Sequence, residues 1–455
     1  MHLFGIFHYL GDKGMLALPA LSAAASLHKS QYASQSQWHS LQAAKLQRLT
    51  QAAANTKYYS EHPGQWLNAI RTAGPDSLEA CLAQIPILSK LTIRAQGTRM
   101  LNRAFPTHQL RWSVTGGSTG EPLRIAHNKQ AHIMATAAAV RGFAWAGIQP
   151  GDRTMNCRAF DRTSFLGRLR SLASHVRIID SLGANRPPDA DIIHQLHTFK
   201  PRCLVGYPTA LLRLAQIARP AQLHIPVVFC TGEAIYPAQR EFLHAVFDCQ
   251  VRDYYGCNEI NSLAYECEHG QKHITAEHVI LETVDDHGQP VWDQPGRILV
   301  TDLDNTAMPM LRYELGDLGV LTRDPCPCGR TLPVLKHLEG RCQDVLRNAR
   351  GDIVPAMAFA EESRHLTSIP AYQFVQTTVD HITFRYVPAG AQHAAEATRL
   401  CQRITQQLGP ITIHTERCLA IPLTPRGKTR LVVGMEPAPQ TVTPRPPDTI
   451  PAPPR

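Results

Sequence analysis

The sequence lacks the features that mark membrane, nucleic-acid-binding and disulfide-rich proteins. No apolar run approaches the roughly eighteen residues that a membrane-spanning helix needs, so membrane insertion is not expected. The 46 Lys and Arg residues outnumber the 37 Asp and Glu residues, but they are scattered and form no basic run that would indicate nucleic acid binding. Twelve cysteines are too dilute in 455 residues for a disulfide scaffold. We therefore expect a globular, cytoplasmic protein whose basic surface attracts anionic metabolites.

A loop rich in glycine and hydroxyl groups follows a strand-like segment at residues 110–114. The loop has neither the Gly-Lys-Ser/Thr ending of a Walker loop nor the Gly-x-Gly-x-x-Gly spacing of a dinucleotide-binding turn. Its glycines would still let the backbone approach an anion, and its N–H and hydroxyl groups can donate to phosphate oxygens. A plain turn is the alternative interpretation. The candidate phosphate-binding residues are Thr115, Gly116, Gly117, Ser118, Thr119 and Gly120.

Downstream of this loop, short apolar runs alternate with helical stretches. The pattern predicts strands over residues 176–179, 203–206, 227–230 and 250–254, and helices over 127–147, 192–199 and 209–218. Strands separated in this way favour a mostly parallel α/β sheet, whose ligands gather at the carboxyl ends of the strands. Thr231-Gly232-Glu233 and the segment from Tyr255 to Glu259 each follow such a strand.

The remaining pattern divides the chain into a large and a small part. Between about residues 265 and 338 the apolar period shortens to two, with predicted strands over 278–282 and 296–302, which indicates a β-rich subdomain within an N-terminal domain over 1–340. Residues 341–435 alternate predicted strands over 381–387 and 411–415 with helices near 356–366 and over 391–408, which indicates a small α+β lid. Residues 436–455 are proline-rich, and we expect a disordered tail. The predicted fold class is α/β.

Seven short motifs occur in one order along the chain, and together they resemble the adenylate-forming enzymes. The resemblance is to the branch of phenylacetate-coenzyme A ligase, capsule-biosynthesis and coenzyme F390 synthetase-like proteins. It implies a large domain that binds ATP and the acyl substrate, and a mobile C-terminal lid. The motifs are residues 115–120, Gly-Tyr-Pro at 206–208, Thr-Gly-Glu at 231–233, residues 255–259, Leu-Arg-Tyr-Glu-Leu-Gly-Asp at 311–317, Gly-Arg at 340–341, and residues 421–428.

The resemblance implies ATP-dependent activation of a carboxylic acid, expected to be aromatic, followed by transfer to coenzyme A. A carboxylate attacks the α-phosphorus of ATP and pyrophosphate leaves, so catalysis depends on alignment and charge neutralisation. Lys428 is the implied catalytic cation, delivered when the lid closes. Glu259 is the implied catalytic ligand of Mg²⁺. The alternatives are a surface lysine after a glycine turn and a carboxylate at the start of a helix.

The same resemblance assigns the contacts of the nucleotide. Asp317 would accept both ribose hydroxyls through its two oxygens, although it could be an ordinary turn residue. The other implied contacts are adenine stacking on Tyr255 with close approach at Gly256, the adenine edge at Gly232 and Glu233, and ribose or phosphate at Arg341.

Two positions depart from the pattern of the wider superfamily. A lysine often follows the last glycine of the phosphate loop, whereas this chain has Glu121. The phosphate loop is therefore less electropositive than usual. A carboxylate commonly stands two residues after the hinge arginine, whereas this chain has Gln343 followed by Asp344. This second departure concerns rotation of the lid, and so the transfer half-reaction.

Three cysteines and a histidine form a candidate structural zinc site. Three thiolates and one imidazole make a closed tetrahedral set of the structural type, and some members of this branch resemble this chain in the spacing. The alternative is four unliganded residues in a reducing cell. The candidate ligands are Cys267, His273, Cys326 and Cys328, with His269 as a competing ligand and Cys257 as a fallback.

Other functions remain open at the level of sequence. Relatives also transfer acyl groups to amines or to carrier-protein thiols, and no short motif here marks a coenzyme A pocket. A non-catalytic nucleotide-binding protein is a further alternative, which the joint presence of Lys428, Glu259 and Asp317 disfavours. A homodimer is compatible with the sequence, which does not determine the oligomeric state or the identity of the acid.

Overall fold

The computed structural model describes residues 17–61, 64, 70, 77–115, 123–158, 175–180, 187–341, 346–350, 353–354, 366, 368–369, 371–422 and 430–435. Several predictions fall outside these ranges: Gly116 to Gly120 of the phosphate loop, Lys428, the helix near 356–366 and the tail at 436–455. Only the backbone is described for Thr115 and Arg341.

The described helices are α1 (Ala17–Ser30), α2 (Gln35–Ala54), α3 (Lys57–Glu61), α4 (Leu78–Ala83), α5 (Lys90–Gln96), α6 (Lys129–Ala144), α7 (Asp189–Phe199), α8 (Pro208–Ala218), α9 (Pro237–Phe247) and α10 (His393–Leu408). The strands are β1 (Arg111–Thr115), β2 (Leu123–His127), β3 (Thr154–Arg158), β4 (Val176–Asp180), β5 (Cys203–Gly206), β6 (Val227–Thr231), β7 (Gln250–Cys257), β8 (Asn261–Glu266), β9 (Lys272–Ile274), β10 (Val279–Val284), β11 (Gly296–Asp302), β12 (Tyr313–Thr322), β13 (Val334–Arg341), β14 (Leu346–Arg347), β15 (Ile353–Val354), β16 (Ala371–Thr378), β17 (His381–Val387), β18 (Thr412–Arg417) and β19 (Val432–Val433).

One sheet of eleven strands organises the larger part of the chain. Its order is β10-β11-β12-β13-β9-β8-β7-β6-β5-β3-β4, with β3 to β7 parallel and the pairs from β7 to β10 antiparallel. The strands predicted as a β-rich subdomain thus hydrogen-bond into the same sheet as the parallel strands. The prediction of an α/β fold is confirmed.

The parallel half is covered by helices on both faces, which explains its continuous apolar strands. Every residue of β5 and β6 is buried, as expected for strands without a solvated face. Successive side chains alternate, so Val228 packs with α7, α8 and α9 while Phe229 packs with α1 and α6. Phe143 of α6 stacks on Phe229 with ring centroids 4.2 Å apart.

A buried charged cluster joins α1 and α6 to the antiparallel half. Arg141 of α6 donates to both oxygens of Glu277, at 2.5 and 3.1 Å, and Ser30 donates to the same carboxylate at 2.6 Å. Arg141 also donates to the Leu27 carbonyl at 3.1 Å. Moving α6 away from the sheet would separate Arg141 from Glu277 and leave an uncompensated buried charge. The pair therefore stabilises the packing of α6 against the sheet.

The C-terminal segment forms a small unit with a core of its own. Strands β18, β17, β16 and β19 make a four-stranded sheet in that order, and α10 packs on it. Phe374 and Phe384 stack at 4.8 Å within this core, beside Leu400 and Ile404 of α10. The strand predicted over 381–387 is found at those bounds.

Candidate active site

The glycine-rich segment lies between two strands that pair with each other. Strands β1 and β2 form an antiparallel hairpin in which Thr115 pairs with Leu123, so the segment begins and ends at the same place. The strand after it leads into α6, whose cap is the Asn128 side chain, which accepts from Ala131 N at 2.9 Å. The predicted strand and helix are therefore present on either side of the phosphate-loop residues, and the additional strand β2 lies before the helix.

The Thr-Gly-Glu motif follows β6 at its carboxyl end. Gly232 has a φ of +74°, in the left-handed region where glycine is favoured. Glu233 Oε2 accepts from Thr209 N at 3.0 Å and from Thr209 Oγ1 at 2.7 Å. These contacts tie the motif to the start of α8, immediately after the Gly-Tyr-Pro motif.

Tyr255 and Asp317 form a buried hydrogen bond. The Tyr255 hydroxyl donates to Asp317 Oδ2 at 2.7 Å, and both side chains are less than a tenth exposed. Tyr255 lies in β7 and Asp317 in β12, so this bond spans two parts of the sheet that are distant in sequence. It orients the carboxylate that the sequence predicts as the ribose-binding group.

Gly256 allows a close approach between two backbones. A Cβ atom on Gly256 would lie 2.5 Å from the Asn261 carbonyl oxygen, closer than real Cβ atoms come. The neighbour is the facing strand β8, where Gly256 pairs with Ser262. The observed reason for glycine here is therefore the β7–β8 hairpin.

Glu259 lies in the turn between β7 and β8. The alternative of a carboxylate at the start of a helix is wrong, because no helix begins here. The carboxylate is 8% exposed, and its Oε1 accepts from the Tyr313 hydroxyl at 3.3 Å. Lys90 Nζ lies 3.9 Å from the same oxygen. Lys90 was not predicted, since nothing in the sequence connects it with a residue so far along the chain.

Two crossed hydrogen bonds therefore join the β7–β8 hairpin to β12. Tyr255 of the hairpin donates to Asp317 of β12, and Tyr313 of β12 donates to Glu259 of the hairpin. The predicted ribose ligand Asp317 and the predicted magnesium ligand Glu259 are thus each hydrogen-bonded by a tyrosine from the other of these two segments.

Arg341 is paired with Asp317 in the backbone register of β12 and β13. The preceding residues Gly316 and Gly340 have φ values of +77° and +102°, which glycine adopts readily. The hinge motif thus starts directly beside the predicted ribose ligand.

Arg312, within the motif of residues 311–317, has a structural set of partners. Its Nε lies 3.1 and 3.2 Å from the two oxygens of Glu282. Its terminal nitrogens donate to the carbonyls of Ala83, Ile85 and Gly288. The guanidinium is 2% exposed, so it fixes three segments around β12 and is not available to a nucleotide.

Cys267, His273, Cys326 and Cys328 converge as the sequence predicts. Their ligand atoms all lie within 4.8 Å of one another. The Sγ atoms of Cys267 and Cys326 are 3.7 Å apart, far beyond a disulfide bond. Two zinc–sulfur bonds of about 2.3 Å at a tetrahedral angle would separate the sulfurs by about 3.8 Å. The donor set therefore fits a zinc ion.

The surroundings favour the metal-binding protonation state at His273 and Cys328, whereas burial raises the pKa of the Cys267 and Cys326 thiols. His273 Nδ1 donates to the Leu332 carbonyl at 3.1 Å, which leaves the Nε2 lone pair facing Cys328 Sγ at 3.2 Å. Burial lowers the pKa of His273 to about 4, so its imidazole is neutral. Burial opposes ionisation of Cys328, but hydrogen bonds from Arg330 outweigh it and lower the pKa of this thiol.

The two other candidate ligands are not in the cluster. His269 contributes its backbone N–H, which donates to Cys267 Sγ at 3.4 Å. Cys257 belongs to the β7–β8 hairpin near Glu259, where burial and that carboxylate raise the pKa of its thiol well above the ordinary value. The cluster of four is therefore the zinc candidate.

Comparison with known proteins gives the family. The AMP-binding enzyme family profile matches residues 67–307. The phenylacetate-coenzyme A ligase of Thermus thermophilus is 26% identical over 309 residues, which cover 65% of this chain and 68% of that protein. Protein CapK of Staphylococcus aureus is 26% identical over 252 residues, 53% of this chain and 54% of CapK.

The fold agrees with this similarity. A 2-hydroxyisobutyryl-CoA ligase in the postadenylation state superposes with a TM-score of 0.69 at 22% identity, over 86% of this chain and 88% of that one. Among the described residues, none of the helices combines the length and the apolar character needed to cross a bilayer. With a family match across more than half of its length, the chain belongs to the family of AMP-binding enzymes.

Proposed function

We propose that this protein is an AMP-forming acid–thiol ligase, which activates a carboxylic acid as its adenylate and transfers the acyl group to coenzyme A. The observation that carries the proposal is the pair of crossed hydrogen bonds between the β7–β8 hairpin and β12. They hold two carboxylates, Asp317 and Glu259, that belong to two of the family motifs. Two fixed carboxylates with different partners suit two different tasks.

The proposed reaction has two halves. A carboxylate oxygen of the acid attacks the α-phosphorus of ATP, the bond to the bridging oxygen of pyrophosphate breaks, and an acyl-adenylate forms. The thiol of coenzyme A, having lost its proton, then attacks the acyl carbon, and AMP leaves. The first half gathers negative charge around the phosphorus, so a cation and aligned N–H donors lower its barrier.

Each residue has a proposed part in the first half-reaction. Asp317, oriented by Tyr255, accepts the ribose hydroxyls with its second oxygen. The backbone and hydroxyls of residues 115–120 bind the outer phosphates. Lys428 neutralises charge between the acid and the α-phosphate. Gly232 and Glu233 border the adenine, and Arg341 contacts the nucleotide from the hinge.

Glu259 is the proposed ligand of Mg²⁺. The ion prefers oxygen ligands and keeps several of its waters, so a single carboxylate beside the phosphates is sufficient. Bound there, Mg²⁺ would supply charge neutralisation for the phosphates. The Tyr313 hydroxyl, 3.3 Å from Oε1, keeps this carboxylate oriented.

An aromatic acid is the proposed substrate. The support is the similarity to the phenylacetate-coenzyme A ligase of Thermus thermophilus, which extends over 65% of this chain. Transfer to an amine or to a carrier-protein thiol is the alternative. The similarity to CapK keeps this alternative open, because that relative is not named for coenzyme A.

The test is acid-dependent exchange of labelled pyrophosphate into ATP, over a panel of aryl, fatty and hydroxy acids. We expect exchange with at least one aryl acid and formation of AMP and a thioester when coenzyme A is added. Asp317→Asn should raise the KM for ATP, while Asp286→Asn, an exposed turn residue, should not. ATP binding without exchange for any acid would contradict the ligase proposal.

The second proposal is a structural zinc ion held by Cys267, His273, Cys326 and Cys328. It would join β8 and β9 to the segment before β13 and act on folding stability, not on the reaction.

Trp145 lies edge-on to His273 at 5.7 Å, so its fluorescence should change when metal is removed. Metal analysis of wild type should give one zinc per chain, which Cys328→Ser should lose. The control Cys401→Ser, in α10, should retain it. A wild-type protein purified without zinc would contradict the proposal.

A further inference from the structure

A lysine outside the family motifs lies beside the proposed magnesium ligand. Lys90 is the first residue of α5, and its Nζ lies 3.9 Å from Glu259 Oε1. Helix α5 packs against β2, the strand that returns from the glycine-rich segment, and against β12. The fold therefore brings Lys90 to the place where β2, the hairpin turn and β12 meet.

The phosphate loop, residues 115–120, contains no lysine or arginine that could neutralise bound phosphates. In sequence, the loop is followed by Glu121, where the wider superfamily often has a lysine. Backbone N–H groups and hydroxyls supply only partial charges. A full positive charge in addition to Mg²⁺ and Lys428 would have to come from another element, and a lysine ammonium on its flexible stem can reach phosphate as a point charge. The Lys90 side chain is 33% exposed, so the ammonium has room to turn toward an arriving ligand.

We propose that Lys90 binds the outer phosphates of ATP. It would supply the positive charge that a lysine in place of Glu121 would otherwise provide. This inference rests on the proposed function. In this structure the ammonium of Lys90 lies beside Glu259. When ATP binds, its phosphate chain would give this ammonium a second and more highly charged partner beside Glu259. Lys90 is then a ligand-contacting residue contributed by a helix outside the sheet.

A purely structural ion pair is the competing explanation. Pairs at 3.9 Å with a partly exposed partner contribute about 0 to 1 kcal/mol to stability. The cap of α5 does not depend on Lys90, because the Ser89 hydroxyl accepts from Thr92 N at 3.0 Å. Replacement of Lys90 is therefore expected to leave the fold and the melting temperature nearly unchanged.

The test measures the binding of MgATP, magnesium pyrophosphate and AMP to the full chain by calorimetry. Lys90→Ala should weaken pyrophosphate and ATP binding by about tenfold or more, which is about 1.4 kcal/mol, and AMP binding by less than about twofold. The control is Lys57→Ala, which removes an exposed lysine of α3. Adding Glu121→Lys to Lys90→Ala should recover at least half of the lost binding free energy.

The outcomes separate this inference from the proposed function. Wild type that binds neither ATP nor pyrophosphate would contradict the ligase proposal itself. Wild type that binds both, with Lys90→Ala binding them equally well, would overturn only the role of Lys90. Equal losses for AMP and pyrophosphate, or a melting temperature that falls with affinity, would assign Lys90 to structure. No recovery on adding Glu121→Lys would overturn the compensation between these positions.

Discussion

Consecutive tyrosines in β7 have different environments because side chains of a strand alternate between its two faces. Tyr254 stacks on Tyr265 at 5.2 Å within the layer that contains α6. Tyr255 points to the other face and donates to Asp317 at 2.7 Å. The pair offers a matched comparison, since the same chemical change can be made on both sides of the sheet.

Tyr255→Phe should impair nucleotide binding more than folding. The change leaves the ring but removes the donor, so the buried Asp317 carboxylate loses a partner and its orientation. We expect a loss of about 1 to 3 kcal/mol, seen mainly as a higher KM for ATP in the exchange assay. Tyr254→Phe is the control and should leave that KM within about twofold of wild type. Equal KM values for Tyr255→Phe and wild type would remove this bond from the site.

Candidate roles could be assigned from the sequence only to residues that belong to a recognised motif. The resemblance implied roles for Asp317 and Glu259, and the spacing of cysteine and histidine residues indicated the four zinc candidates. The hydroxyl of Tyr255 and the ammonium of Lys90 were not predictable, since both act through partners on distant strands. Such contacts exist only after the sheet has formed.

At the scale of elements, a second buried charged cluster joins α2 to the antiparallel strands. His278 Nδ1 donates to Asp304 Oδ2 at 2.9 Å and lies 3.8 Å from Asp302 Oδ1. Lys45 of α2 pairs with Asp304 at 2.8 Å. Burial is the largest influence on Asp302, and it raises the pKa of this carboxyl to about 6. The side chains of Lys45, His278, Asp302 and Asp304 thus lie close together.

This cluster should make stability fall as the pH rises. Because the pKa of Asp302 is raised above its unfolded value, the native state binds its proton more tightly, and ionisation above about pH 6 disfavours folding. The pKa of His278 is also raised, despite burial, by Asp302 and Asp304, so its stabilisation is present below pH 6.5 and is lost at higher pH.

Asp302→Asn should flatten that dependence. Between pH 8 and pH 5, the free energy of unfolding of wild type should gain about 1.5 kcal/mol relative to the variant, measured by urea unfolding. The control Asp286→Asn removes an exposed carboxylate and should run parallel to wild type. Parallel profiles for Asp302→Asn and wild type would show that the cluster does not titrate in this range.

Elements were predicted well where a strand is buried on both faces. The bounds of β5 and β11 match the prediction, because an apolar run between turns has few other conformations. Helix α6 was predicted at 127–147 and spans Lys129–Ala144, since the Asn128 cap fixes its start. Strand order was not predictable, because β9 joins β13 through contacts about sixty residues apart in sequence.

At the scale of the whole molecule, two units have separate cores. The eleven-stranded sheet carries Asp317 and Glu259, while the C-terminal sheet and α10 have their own buried cluster around Phe374 and Phe384. The chain passes from the larger unit to the smaller unit near Arg341, the last residue of β13. A catalytic residue contributed by the smaller unit can therefore act on the reaction without contributing to the nucleotide-binding core.

Lys428→Ala should separate catalysis from binding for this reason. Loss of the cation should slow acid-dependent ATP–pyrophosphate exchange by about 100-fold or more, because charge developing at the α-phosphate is no longer neutralised. ATP affinity and the melting temperature should stay close to wild type, since the nucleotide contacts proposed here lie in the larger unit. Arg426→Ala removes a charge two residues away and should retain exchange. If Lys428→Ala kept the wild-type exchange rate, the smaller unit would have no part in adenylation, and the cation would have to come from the larger unit, where Lys90 lies beside Glu259.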